Sequence, residues 1–286
     1  MCRFVLYLGP PLTLASLFVE PDHSLINQSV NAKEREEPLN GDGFGVAWWK
    51  HDISLEPAAF RSVSPAWSNR NLLELARVTR SGTILAHVRA ATQNLGVSEF
   101  NCHPFTRGRY AFMHNGDVGA FHDIRRLIRR KLTDESYNAV HGSTDSEHLF
   151  ALFMDRLPAD EFPPMVALGE ALVEAINEVV ALARSADKAD HSYINIAISD
   201  GNRAVACRFT TDIPEHADTL YLNTGRRYIC EDGVCRMIEP EEGEGAVLIA
   251  SEPLSDDPGW QMIPVNHVVL VNERREVQVA SWAELS

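Results

Sequence analysis

Met1-Cys2-Arg3-Phe4-Val5-Leu6-Tyr7-Leu8-Gly9-Pro10-Pro11 opens the chain. The stretch has one early basic residue and a run of apolar ones, the outline of a secretory leader. Gly9-Pro10-Pro11 interrupts the run, however, no small-x-small cleavage site follows it, and only Arg3 is positive. Arg3 to Leu8 is therefore read as a buried strand ended by a Gly-Pro-Pro turn. The choice matters because a removed leader would take Cys2 with it. Methionine aminopeptidases remove Met1 when a small residue follows, and the product carries a thiol and a free α-amine on one residue. An α-amine titrates near roughly 7.7–8.0, so close to neutral pH a useful fraction can take the proton of its own side chain. The plain alternative for Cys2 is a small apolar residue in a starting strand.

Working outward, Asn27 to Gly43 is polar and turn-rich and reads as a long loop. Gly43 to Trp49, Thr83 to Arg89 and Arg109 to His114 read as strands, the last ending at the turn-prone pair Asn115-Gly116. Phe121 to Leu132, Ser143 to Leu157 and Pro164 to Arg184 carry helical spacing. Thr144 precedes Glu147 by three, as in a capping box. Ser192 to Ser199 and Arg203 to Thr210 flank the hairpin signal Asp200-Gly201-Asn202, and Ala246 to Ala250 and Val268 to Val271 add strands. Strands, then helices, then strands favour sheets packed together with helices outside, an α+β arrangement. No linker divides residues 1–286, so one domain is expected.

The whole chain of 286 residues has 26 Lys plus Arg against 40 Asp plus Glu, a net charge of −14. Such a surface repels phosphate backbones and anionic lipid, which argues against nucleic acid and membranes as partners. No stretch approaches the roughly 18 apolar residues of a membrane helix. Five cysteines, an odd and sparse set, read as reduced thiols in a cytoplasm. Cys230 and Cys235, with Glu231 and Asp232 between them, miss the usual zinc spacings, and two ordinary strand or hairpin thiols are expected, with no metal. Glu239 to Glu244 reads as a solvated acidic loop, and Trp48 and Trp49 as core and rim aromatics.

Four further motifs carry chemistry. His114-Asn115-Gly116 can present an amide and a backbone N–H to a developing oxyanion, or form a hairpin turn. In His87-Val88-Arg89-Ala90-Ala91-Thr92, Arg89 ends a strand where it can grip a carboxylate in bidentate fashion or form a structural ion pair. In Ser143-Thr144-Asp145-Ser146-Glu147, Asp145 can meet an ammonium or complement a helix dipole. In Asn101-Cys102-His103-Pro104-Phe105, His103 can contact substrate or lie idle in a loop. Taken together they supply a nucleophile, a base, an oxyanion hole, and a cation and an anion for the amino-acid end of a γ-glutamyl group.

With these segments, and Asn40-Gly41-Asp42-Gly43-Phe44-Gly45, in this order, the sequence resembles the class II (N-terminal nucleophile) glutamine amidotransferases. The resemblance implies a four-layer αββα sandwich with Cys2 as nucleophile and Asn115 and Gly116 as oxyanion hole. It implies Arg89 on the substrate α-carboxylate, Asp145 on the α-ammonium, Thr92 and His103 lining the pocket, and Gln93 to Phe100 as a lid. Ala90 stands where several synthases of the class have an aromatic residue, and no second domain is left to consume ammonia. Two subfamilies fit: the stand-alone γ-glutamyl hydrolase of ergothioneine biosynthesis, and the subunit that works with a peptidase-like partner in glutathione degradation. His23 to Ser29, Asn40 to Trp49 and Pro65 to Leu72 look closer to the second. The implied activity is hydrolysis of a γ-glutamyl amide, in glutamine, glutathione or another γ-glutamyl compound, through a Cys2 thioester and without a cofactor. The alternatives are a glutaminase subunit that feeds ammonia to a separate synthase, and a non-catalytic module that senses a γ-glutamyl ligand.

Overall fold

A computed structural model describes residues 2–34, 39–90, 98–186, 190–231, 234–238 and 245–286. Among these the strands are β1 (Arg3–Thr13), β2 (Phe44–Lys50), β3 (Ser54–Ser62), β4 (Arg80–Val88), β5 (Phe105–Arg107), β6 (Tyr110–Asp117), β7 (Tyr193–Ser199), β8 (Ala204–Thr210), β9 (Tyr221–Gly225), β10 (Arg227–Glu231), β11 (Val234–Ile238), β12 (Ala246–Ala250), β13 (Gln261–Met262), β14 (His267–Val271) and β15 (Val277–Ser281). The helices are α1 (Ala15–Phe18), α2 (Leu25–Val30), α3 (Arg70–Val78), α4 (Phe121–Lys131), α5 (Asp134–Ala139), α6 (Asp145–Arg156) and α7 (Met165–Ser185). One sheet runs β13-β9-β12-β1-β4-β2-β3 and the other β15-β14-β8-β7-β6-β5, with β10 and β11 forming a separate hairpin.

The layering follows from the period-2 alternation of strand side chains. In β1, Phe4, Leu6 and Leu8 point into a core shared with Ala111, Met113, Ala197, Ala206 and Val269 of the other sheet. Val5 and Tyr7 point the opposite way, onto Leu17, Phe18, Leu25 and Leu72 of α1, α2 and α3. The second sheet repeats the arrangement. Ile194, Ile196 and Ile198 of β7 face Ile124, Leu152 and Ile176 of α4, α6 and α7. The inner strands of both sheets are apolar on both faces because each is covered twice, which gives the expected αββα sandwich, whereas the edge strands β3, β13 and β15 are more exposed. Trp49 lies in the core between the sheets and Trp48 packs, half-buried, against the helix side, as expected of the pair.

Several local readings need correction. β1 does not stop at Gly9-Pro10-Pro11 but continues to Thr13, with its pairing to β4 interrupted between Leu8 and Leu12. Prolines lack a ladder donor and are tolerated where the ladder is irregular. The expected loop from Asn27 begins inside α2, whose first turn is capped by Ser24 accepting from the Asn27 N–H. The capping box at α6 is half formed. Thr144 Oγ1 accepts from Glu147 N, but the Glu147 carboxylate accepts from His141 N and Gly142 N.

Asn115-Gly116 is not a hairpin turn, because β6 runs through both residues and pairs with Asn195 and Ile194. Cys230 and Cys235 are not two separate thiols: they are joined in a disulfide across the β10–β11 hairpin. The register sets them directly opposite one another, 4.1 Å apart at Cα. Their spacing had been weighed for zinc, and hairpin pairing instead makes neighbours of them. Residues 239–244, read as an acidic loop, lie outside the described residues.

Candidate active site

The ladder between β1 and β4 pairs Arg3 with Val88, so Cys2 and Arg89 are neighbours at its end. Cys2 Sγ lies 3.6 Å from the Ala90 carbonyl oxygen. Burial pushes the Cys2 thiol up, and the nearby positive charges of Arg89 and Arg3 oppose that shift. Arg3 is itself buried. Its Nε donates to Glu252 Oε1 at 2.6 Å and its Nη1 to the Cys2 carbonyl at 2.9 Å. Glu252 also meets His23 Nε2 at 2.6 Å and accepts from the backbone N–H groups of Lys33 and Glu34. Although burial works against ionisation, these partners hold the Glu252 carboxyl down at about 2.

Arg89 is pinned at its backbone between Gly43 and Asp42, donating to Gly43 O at 2.8 Å and accepting from Asp42 N at 2.9 Å. Its side chain is 3 % exposed, and its Nη1 is buried without a protein partner. A buried guanidinium nitrogen left without an acceptor is costly and calls for one. The structural ion pair weighed from sequence is absent among the described residues.

The second sheet is tied to this point through histidines. His87 Nε2 meets His114 O at 3.2 Å, bridging β4 and β6 one residue before Asn115. Because a carbonyl only accepts, His87 carries its proton on Nε2 and leaves Nδ1 as a free acceptor. Burial lowers His87 to about 3, and it lowers His103 and His114 as well, so all three rings are neutral near pH 7. His103 stacks on His87 with ring centres 4.3 Å apart, and neither of its nitrogens has a partner. A side chain at Gly45 would overlap the His103 carbonyl oxygen, so the glycine lets the Asn101–Phe105 segment press against β2.

Asn115 is 0 % exposed, and both polar atoms of its amide lack partners. Gly116 has φ +142°, and an added Cβ would overlap the Tyr193 carbonyl oxygen, so only glycine fits. Asp145 starts α6. Its Oδ2 accepts from Val118 N at 2.9 Å, and its Oδ1 accepts from Ser146 N at 2.7 Å and from Ser146 Oγ at 3.2 Å. Of the roughly four acceptor positions on a carboxylate, three are in use and one remains. Ser146 Oγ also meets His114 Nδ1 at 2.9 Å, so Asp145 is wired to the strand that carries Asn115.

Cys2 and Arg89 thus lie at one end of the β1–β4 ladder with His103 stacked on His87 beside them, and the His87–His114 contact brings up the strand that carries Asn115 and Gly116, with Asp145 attached through Ser146 and His114. Thr92 and most of the expected lid lie outside the described residues. Sequence reasoning did not single out Arg3, Glu252, His23, His87, His114 or Ser146. A glutamate directly after an apolar strand, at Ala250-Ser251-Glu252, was the available signal. Among the described residues no group of three or more His, Cys, Asp or Glu side chains is placed to hold a metal ion. None of their helices is long and apolar enough to cross a membrane.

Residues 19–283 match the family described as class II glutamine amidotransferases. The probable glutamine amidotransferase DUG3 of Saccharomyces cerevisiae is 36 % identical over 96 % of this chain and 82 % of its own length. The γ-glutamyl-hercynylcysteine sulfoxide hydrolase of Mycolicibacterium smegmatis is 28 % identical over 97 % of this chain and 98 % of its own. A glutamine aminotransferase class-II domain protein from Silicibacter pomeroyi superposes with a TM-score of 0.68 at 28 % identity, covering 98 % of this chain and 99 % of that one.

Proposed function

The chain belongs to the class II glutamine amidotransferases, and on that premise we propose that it hydrolyses a γ-glutamyl amide with Cys2 as N-terminal nucleophile. The observation that carries this reading is the buried Arg89 Nη1 beside Cys2, without a partner among the described residues, together with the unpartnered Asn115 amide on the strand that His87 ties to β4. Removal of Met1 frees the Cys2 amine. The amine takes the thiol proton, and sulfur attacks the γ-carbonyl carbon. Asn115 Nδ2 and Gly116 N–H receive the oxyanion. The amine leaves with a proton, and water attacks the thioester and returns the thiol with release of glutamate.

Arg89 binds the α-carboxylate, the remaining acceptor position of Asp145 binds the α-ammonium, and Thr92 and His103 line the pocket. The neutral His103 suits this task because a second cation beside Arg89 would compete with it. We place the reaction in the cytoplasm, within one domain spanning residues 1–286. The M. smegmatis relative is named for a γ-glutamyl conjugate larger than glutamine, which favours a substrate of that kind. A peptidase-like or synthase partner subunit would act on what is released.

The experiment is mass spectrometry of the purified protein incubated with glutamine, glutathione and other γ-glutamyl compounds. The expected result is a chain lacking Met1, release of glutamate, and a +129 Da acyl adduct (about the mass of a glutamyl residue, trapped when water attack is slow) that is absent from Cys2→Ala. Turnover by a chain that keeps Met1 would overturn the proposal.

A further inference from the structure

Charge is distributed unevenly over the molecule. Against a net −14, α4 carries Arg125, Arg126, Arg129, Arg130 and Lys131 with only Asp123 in opposition. Ile124 and Ile128 bury one side of the helix. At 3.6 residues per turn the four arginines share about 140° of arc. Together with the half-exposed Tyr137 of α5 they line a cavity of about 370 Å³, and no carboxylate lines it.

Of the acids around the helix, Glu135 pairs with Arg107 and Glu178 with Lys131 and Arg156, while Glu147, which feels the charge of Arg129, accepts from His141 N and Gly142 N. Arg125, Arg126 and Arg130 make no ion pair among the described residues. Arg125–Arg129 and Arg126–Arg130 are like charges one turn apart, an arrangement that is unfavourable without a counter-ion.

One arginine is also held in place from beneath. His148 is fully buried on α6, and its Nδ1–H donates to Thr144 O at 2.6 Å. Its Nε2 therefore accepts, and Arg129 Nε donates to it at 2.9 Å. The Nη groups of Arg129 have no protein partner among the described residues. Guanidinium forks match oxyanions in bidentate fashion, and a monovalent ion would leave most of these forks unpaired.

We propose that this arginine-lined pocket between α4 and α5 binds a small, multiply charged oxyanion of the phosphate or pyrophosphate type. The pocket shares no residue with the glutamyl site, so neither reading depends on the other.

The test is calorimetric titration of the full chain with inorganic pyrophosphate at fixed ionic strength, with parallel arms of inorganic phosphate and sodium chloride. Saturable one-to-one binding is expected, unchanged in Cys2→Ala and weakened at least tenfold in Arg126→Gln/Arg130→Gln, both positions being exposed. Arg130→Glu alone gives the same readout should the double variant lose its cooperative melt. Absence of saturable heat, equal heat from chloride, or undiminished binding by the arginine variants would overturn the site. Co-sedimentation with phosphatidylglycerol vesicles in place of free pyrophosphate would overturn it too, in favour of a membrane headgroup.

Discussion

Arg3 Nε and Glu252 Oε1 stand 2.6 Å apart with both side chains fully buried, and the same guanidinium holds the carbonyl oxygen of Cys2. A charge pair far along the chain thereby fixes the backbone of the residue proposed to do the chemistry. Breaking one partner of a buried pair costs about 3–5 kcal/mol, because the other is left uncompensated. Glu252→Gln is expected to lower the melting temperature and to reduce kcat more than it raises KM. Differential scanning calorimetry and steady-state kinetics check both; an unchanged melt would remove the pair from the account.

The same carboxyl gives a pH dependence. It titrates at about 2 when folded, against 4.5 for the free group, so the folded state binds this proton less readily. The resulting stability, on the order of 3 kcal/mol, is full above about pH 4.5 and fades as the pH falls towards 2. Urea unfolding across that window should show the loss in the wild type and a flatter profile in Glu252→Gln.

Arg89 separates binding from structure. With its Nη1 buried and without a partner among the described residues, Arg89 costs the ligand-free protein stability, so Arg89→Met should melt no lower than the wild type. Loss of a charge-assisted contact of about 3 kcal/mol should reduce kcat/KM roughly a hundredfold. Arg89→Lys should recover little, since an ammonium cannot reproduce the bidentate fork. A clear fall in melting temperature for Arg89→Met would mark the residue as structural.

Asn115 makes no side-chain hydrogen bond among the described residues, so Asn115→Ala should fold almost as well as the wild type. The loss of one oxyanion donor should cost about 10²- to 10³-fold in kcat. Glutamate release under saturating substrate measures it, and a variant within threefold of the wild type would refute the donor role.

The Cys230–Cys235 bridge closes a short loop, with a sequence separation of 5. Chain entropy gives such a loop about 2 kcal/mol. Cys235→Ser should lower stability by up to that amount while leaving glutamate release unchanged, because the hairpin lies apart from the site. Thiol counting under denaturing conditions, before and after reduction, shows whether the bridge forms.

Sequence alone determined the layered α+β fold and named most of the residues proposed for the site. Apolar runs such as Arg3 to Leu8 and Ser192 to Ser199 can be buried on both faces only between two layers. Cys2, Arg89, His103, Asn115 and Asp145 became candidates through the order of their motifs in the chain, since each alone also has a plain structural reading. Contacts set by register and by distance along the chain were decided only in three dimensions. Asn115-Gly116 reads locally as a turn, and it takes Asn195 and Ile194 on the neighbouring strand to hold it extended. Cys230 and Cys235 became partners through hairpin register. Glu252 reached Arg3 across 249 positions, a pairing no local pattern encodes, because burial of one charge is tolerable only where the fold delivers its opposite.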